Sequence, residues 1–284
     1  MNFSDRLESA IKTKNSCLML GLDPKMEKMP NHLKAEAIRR IENGDSYVSV
    51  WSKVFAEFSL EIMMECLPYI MGIKIQMAYF EVLGSHGLLA IEHIIQVAKQ
   101  QNLIILIDGK RNDIGTTCEA YAEAYLGDTP AGGDALTVTP FLGSDGILPF
   151  VEKCKSDKGI FVLVKTSNPS ASEFQDDISD ALCSKMNEWG DSCLGDNGFS
   201  AVGAVIGATN GAQLMEYRKK LAKTWFLAPG VGAQGGSVAD VMKAKVNGLG
   251  VIIPVSRSIL YASDGQDYAK QASIVAQALW EGQK

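Results

Sequence analysis

Leu103-Ile104-Ile105-Leu106-Ile107-Asp108-Gly109-Lys110-Arg111-Asn112-Asp113-Ile114-Gly115-Thr116-Thr117 runs from five apolar residues straight into a charged turn, and then into the helical pattern Thr116–Leu126. An apolar run with no polar alternation suits a strand buried on both faces, as in a parallel sheet. Working outward, seven further runs of this kind stand at Ser16–Asp23, Tyr69–Gln76, Ala135–Pro140, Gly159–Ser167, Ala201–Ala208, Trp225–Gly230 and Gly250–Arg257. The third strand is Leu103–Asp108. Helical patterns lie between them, including His86–Gln101, Asp145–Cys154, Ala212–Leu221 and Ser237–Val246. A βα unit repeated eight times predicts an α/β fold, the closed (β/α)8 TIM barrel, with residues 1–284 forming a single catalytic domain.

The competing architecture is a doubly wound open sheet, which carries a Gly-rich dinucleotide loop after its first strand. Gly21-Leu22-Asp23-Pro24-Lys25 stands there instead. Two connections are long. Met29–Leu67 has room for extra helix. Asn168–Ser200 is either a lid-like extension over the barrel mouth after the fifth strand or a structural excursion with a helix around Ile178–Asn187.

At 284 residues the chain is longer than one average domain, but barrels of this size run as one. Hydrophobic residues are 46% and charged residues 21%, with a net charge of −6, which supplies a large core and no basic footprint for nucleic acid or anionic lipid. No apolar run approaches the roughly 18 residues of a membrane span. The first residues, MNFSDRLESAIKTKNS, read as a polar helix rather than a signal peptide. The expectation is a soluble, cytoplasmic protein. Its six cysteines form no CxxC pair and read as buried, reduced thiols. Its three histidines, His32, His86 and His93, have no HExxH spacing, so no metal site is expected and the chemistry avoids histidine.

Barrel enzymes work at the C-terminal ends of their strands. There the sequence places Asp23, Lys74, Asp108, Lys110, Thr166, Ser167 and Arg257, with Gly230-Val231-Gly232 after the seventh strand. Asp108 and Lys110 are two apart, so on an extended strand they face the same way. Asp113 follows on the turn and Lys74 ends the neighbouring strand. Alternating charge on a solvated loop is common. Here it begins at the end of a buried strand, where charges are expensive unless paired. Lys74, Lys110, Asp108 and Asp113 therefore read as a charge-compensated tetrad. An ammonium held in such a cluster can give a proton to a developing carbanion, and the carboxylates can repel a substrate carboxylate that must leave. Arg111 and Lys165 alternate away from the mouth and read as structural ion pairs. Met63, Met64, Trp51, Phe55 and Phe58 read as helical core stripes, Ser237 as an N-cap, and Asp23-Pro24 alone as a turn.

The string Asp108–Thr117 resembles the signature of the orotidine 5′-phosphate decarboxylase family, D-x-K-x-x-D-I/V-x-x-T. Gly21–Pro24, Lys74–Gln76, Thr166–Pro169, Val205–Thr209, Pro229–Gly236 and Ser256-Arg257 match in the same order, as in the longer bacterial branch of that family. Asn112 stands where that branch often has glycine. The resemblance implies a cofactor-free carboxy-lyase that converts orotidine 5′-phosphate (OMP) to UMP and CO2 in de novo pyrimidine biosynthesis. It implies Lys110 as the proton donor to C6, and Asp108 beside the departing carboxylate, holding Lys110 together with Lys74. Asp113 would complete the tetrad of the other subunit in a homodimer, with Ile114 and Thr117 beside it near the ribose. Asp23 and Lys74 would meet the ribose hydroxyls, and Thr166 and Ser167 the pyrimidine edge. Arg257, Gln234 and the amides near Gly232 would grip the phosphate. Two rivals are a magnesium-dependent sugar-phosphate barrel, which has an acidic residue where Lys74 stands, and a non-catalytic barrel sensing a nucleotide or sugar phosphate.

Overall fold

The computed structural model describes residues 1–232 and 235–284. Its eight strands are β1 (Leu18–Leu22), β2 (Gly72–Gln76), β3 (Ile104–Arg111), β4 (Ala135–Val138), β5 (Gly159–Lys165), β6 (Ser200–Ile206), β7 (Thr224–Leu227) and β8 (Val251–Val255). Each pairs in parallel with the next, and β8 pairs back onto β1. The expected (β/α)8 barrel is the observed one. Most strand residues are fully buried, which is why the strands are written as continuous apolar runs.

Helix α1 (Phe3–Lys14) precedes the barrel, and α2 (Asn31–Glu42) and α3 (Tyr47–Cys66) fill the long first connection. The second holds α4 (Met77–Glu81) and α5 (Ser85–Gln100). Single helices follow: α6 (Gly115–Leu126), α7 (Leu148–Cys154), α8 (Gln175–Gly190), α9 (Gly211–Lys220) and α10 (Val238–Lys243). Then α11 (Arg257–Leu260) and α12 (Tyr268–Glu281) complete the chain. In α5 the buried positions Gly87, Ala90, Ile91, Ile94, Ile95 and Ala98 recur every three or four residues, the stripe that packs onto the barrel. The segment Asn168–Ser200 follows the second of its readings, the structural excursion with a helix. Most of it is α8, an ordinary barrel helix packed on β5 and β6. Only the short stretch up to Phe174, a 3₁₀ turn at Pro169–Glu173, stays at the mouth.

The bottom of the barrel is sealed by α1. The Phe3 ring meets Phe161 of β5 edge-on at 6.3 Å, and Ser4 Oγ accepts the indole N–H of Trp225 at 2.7 Å. Arg6 pairs with Asp134 at 2.6 Å, whose other oxygen accepts the Ile105 amide. All six cysteines are free and buried, as expected, and burial pushes the Cys17 thiol up to about 11. No helix of the described residues is long and apolar enough to cross a membrane.

Candidate active site

At the C-terminal ends of the strands lies a cavity of ≈ 340 Å³. Asp23, Lys74, Asp108, Lys110, Thr166, Ser167 and Arg257 all line it, so most of the residues picked from sequence do converge. Asp108 is its electrostatic centre. Its Oδ2 accepts from Lys74 Nζ at 2.8 Å and from Gln76 Nε2 at 3.1 Å. Its Oδ1 accepts from Lys110 Nζ at 2.5 Å and from the Thr137 hydroxyl at 2.9 Å. Burial raises the carboxyl's pKa, but the ammonium groups of Lys74 and Lys110 outweigh it and hold Asp108 well below the usual carboxylate range. Lys74 is likewise penalised by burial. Asp108, and Asp23 with its Oδ1 3.8 Å away, more than compensate and raise its pKa. Lys110 differs from both: its side chain is 45% exposed where that of Asp108 is 9%, so one end of the network is sealed and the other faces the cavity.

Asp108 and Lys110 do not meet by simple strand alternation. The β3–β4 pairing slips, with Ile107 opposite Leu136 but Arg111 opposite Val138, so three residues bulge opposite Thr137 alone. Lys110 itself sits at φ 47°, in the left-handed region, a conformation that costs a non-glycine residue roughly 1–2 kcal/mol. The other non-glycine residues with positive φ among those described are Asn15, Asn102 and Asn247, of a type that tolerates it.

Asp113 is a correction to the tetrad as read from one chain. Its Oδ1 accepts the amide of Ile114, and neither residue lines the cavity, nor does Thr117. Ile114 is 54% exposed and Thr117 is exposed too. Within one chain, the second carboxylate near Lys74 is Asp23. On the opposite wall, the Thr166 amide and hydroxyl are both tied to Gln175 at the start of α8, and Ser167 stands beside them. Arg257 opens α11, exposed, and no carboxylate pairs with it among the described residues. The Gly232 amide donates to Gly236 O at 3.1 Å, inside its own loop, and Gly232 does not line the cavity. Gln234 lies outside the described residues.

The profile of the "Orotidine 5'-phosphate decarboxylase / HUMPS family" matches residues 16–272. The chain belongs to that family. It is 37% identical to the orotidine 5'-phosphate decarboxylase of Caldicellulosiruptor saccharolyticus over 99% of this chain and 97% of that one. With the protein of the same name from Rhodopirellula baltica it shares 40% identity over 96% and 92%. Among solved structures, an OMP decarboxylase from Leishmania donovani superposes with a TM-score of 0.75 at 28% identity, covering 99% of this chain and 100% of that one.

Two members of the site in this family member escaped the sequence reading: Gln76 and Thr137. Gln76 was within reach, since it follows Lys74 by two on β2 and the period-two argument applies to it equally. Thr137 carried no signal, being a neutral residue in an apolar strand. Arg111 and Lys165 are structural, as expected. Arg111 binds Glu81, the Tyr125 hydroxyl and the Gly109 carbonyl, and Lys165 pairs with Asp176 of α8.

Proposed function

We propose that this cavity decarboxylates OMP to UMP, with Lys110 as the proton donor. The reading rests on one observation: a half-exposed ammonium at the barrel mouth, held by a carboxylate that is itself clamped by a buried second ammonium. The bond from C6 to the substrate carboxylate breaks, CO2 leaves, and the electron pair remains on C6. A proton from Lys110 Nζ takes it up, and the neutral amine regains a proton from water. Asp108 keeps Lys110 aimed until then, and its own negative charge opposes the substrate carboxylate in the ground state. Since Lys74 and Asp108 are paired before substrate arrives, little reorganisation accompanies the reaction.

Around that centre, Asp23 and Lys74 take the ribose hydroxyls, Thr166 and Ser167 the pyrimidine edge, and Arg257, Gln234 and the Gly232 loop the phosphate. Arg257 offers a permanently charged fork with no competing carboxylate, which suits phosphate. Gly232 serves only if its amide leaves Gly236. Asp113, Ile114 and Thr117, which do not line their own chain's cavity, serve the site of a second copy in a homodimer. A magnesium-dependent sugar-phosphate reading is disfavoured by Lys74, a cation at the second strand end where a metal would need an anionic ligand.

Loss of OMP absorbance is followed with purified protein in EDTA. Turnover supports the reading, and no turnover with a folded protein overturns it. The shared site is tested by mixing inactive Lys110→Ala with inactive Asp113→Ala after subunit exchange is established with labelled protein. Recovered activity supports a site built from two chains, and none assigns the whole site to one.

A further inference from the structure

Thr137 occupies the one β4 position that faces the bulge of Asp108, Gly109 and Lys110. It is 1% exposed, and its hydroxyl is used twice. Oγ1 accepts the main-chain N–H of Lys110 at 3.0 Å and donates to Asp108 Oδ1 at 2.9 Å, the same oxygen that accepts from Lys110 Nζ at 2.5 Å. One hydroxyl thus joins both ends of the lysine: the amide directly, and the ammonium through Asp108. The amide it captures belongs to the residue whose φ is 47°. A non-glycine residue keeps such a backbone only where its surroundings over-determine it. Gly109 next to it leaves the chain free to relax once the restraint is gone.

We propose that Thr137 is a positioning residue for Lys110, holding its left-handed backbone and the Asp108 carboxylate in one fixed geometry so that the ammonium stands at the reacting carbon. This rests on the reading of Lys110 as proton donor. Threonine meets both demands of the position: its hydroxyl donates and accepts, and its β-branch suits a buried strand. Valine has the same shape without the hydroxyl, and serine has the hydroxyl without the methyl.

The test compares Thr137→Val and Thr137→Ser for kcat, KM, UMP affinity and hydrogen exchange of the Lys110 amide. Displacing a catalytic group by a fraction of an ångström costs rate rather than ground-state affinity. Thr137→Val is expected to lower kcat by roughly 10–10²-fold, with KM and UMP affinity within about threefold of wild type. The Lys110 amide exchanges faster in it, having lost its acceptor. Thr137→Ser restores kcat to within about threefold and restores slow exchange. Thr137→Ala makes the same comparison with a smaller side chain, in case valine prevents folding. The proposal is overturned if Thr137→Val keeps wild-type kcat. It is overturned equally if valine and serine lose kcat, affinity and thermal stability together while amide exchange is unchanged, which marks a packing role. Wild-type protein that fails to convert OMP removes the functional reading, and the exchange measurement still decides whether Thr137 holds the Lys110 backbone.

Discussion

Two buried cations stand at opposite ends of the barrel and are satisfied in opposite ways. At the mouth, Lys74 faces two carboxylates, which outweigh the penalty of burial and raise its pKa. At the bottom, Arg218 of α9 meets no carboxylate among the described residues. Its guanidinium donates to four carbonyls, those of Ala244, Leu221, Thr224 and Gly250, and lies 3.7 Å from the centre of the Phe226 ring. Burial lowers its pKa to about 10, so it stays charged at neutral pH. The five-donor fork of arginine lets it gather loop carbonyls from three segments with no anion, so it holds the lower ends of β7 and β8 together. Lysine at the mouth is instead held by carboxylates, and one of them, Asp108, also holds the exposed ammonium of Lys110. One end is built for permanence and the other for reaction.

That contrast can be broken most severely at Lys110. Lys110→Ala removes the exposed ammonium and is expected to leave the fold intact while turnover falls by at least ~10²–10⁴, read by absorbance beside a circular dichroism melt. Turnover within about tenfold of wild type removes Lys110 from the mechanism. At the other end, Arg218→Met strands the carbonyls of four buried residues, Ala244, Leu221, Thr224 and Gly250. The expected loss is about 3 kcal/mol of stability, from roughly 1–3 for each unsatisfied group after partial relaxation. The melting temperature then drops by several degrees, with kcat per folded molecule unchanged. A variant that melts normally but loses activity reverses the assignment of the two ends.

A smaller effect is expected at Arg257. Arg257→Ala loses a charged contact to phosphate worth about 1.5–3 kcal/mol and lowers kcat/KM for OMP by roughly 10–10²-fold. Variant and wild type then handle the phosphate-free nucleoside alike. Equal damage to both substrates makes the residue structural. The smallest effect near neutrality concerns pH. Because the folded pKa of Asp108 lies below its unfolded value, its stabilisation is complete above that unfolded value, near 4, and is lost as pH falls through it toward the folded one. Denaturant melts therefore show no pH dependence from Asp108 between about pH 5 and 8, where its contribution is constant, and an acid limb that Asp108→Asn flattens.

The strands were legible because burial on both faces leaves a continuous apolar run, a signal independent of neighbours. Their ends were less so: β3 extends past Asp108 to Arg111 because its pairing with β4 slips, and register belongs to two strands at once. The Asp108–Lys110 pair was found through the right proximity and the wrong geometry, since a bulge and a left-handed lysine bring them together rather than alternation. Charged residues at the ends of apolar runs stand out against the cost of burying them, and so Lys74 and Asp108 were readable. Thr137 was not, because a threonine suits any strand. Asp113 belongs to the same charged string but lies outside its own chain's cavity, because spacing along a chain does not say which way the turn after a strand points.

The cap formed by α1 sets the order in which this chain can finish folding. Asn2 reaches Cys193, Ser4 reaches Trp225 and the Cys17 amide reaches Gln283, contacts separated by 191, 221 and 266 positions. A chain lengthening from its N-terminus makes α1 first and has nothing for it to seal until β5 and β7 exist, and β1 lacks its second neighbour until β8 has appeared. Closing loops this long costs entropy before any contact offsets it, so a high contact order and slow, late closure follow from the topology. Until then the apolar underside of the partial barrel stays uncovered, and that interval is when the protein is most open to aggregation.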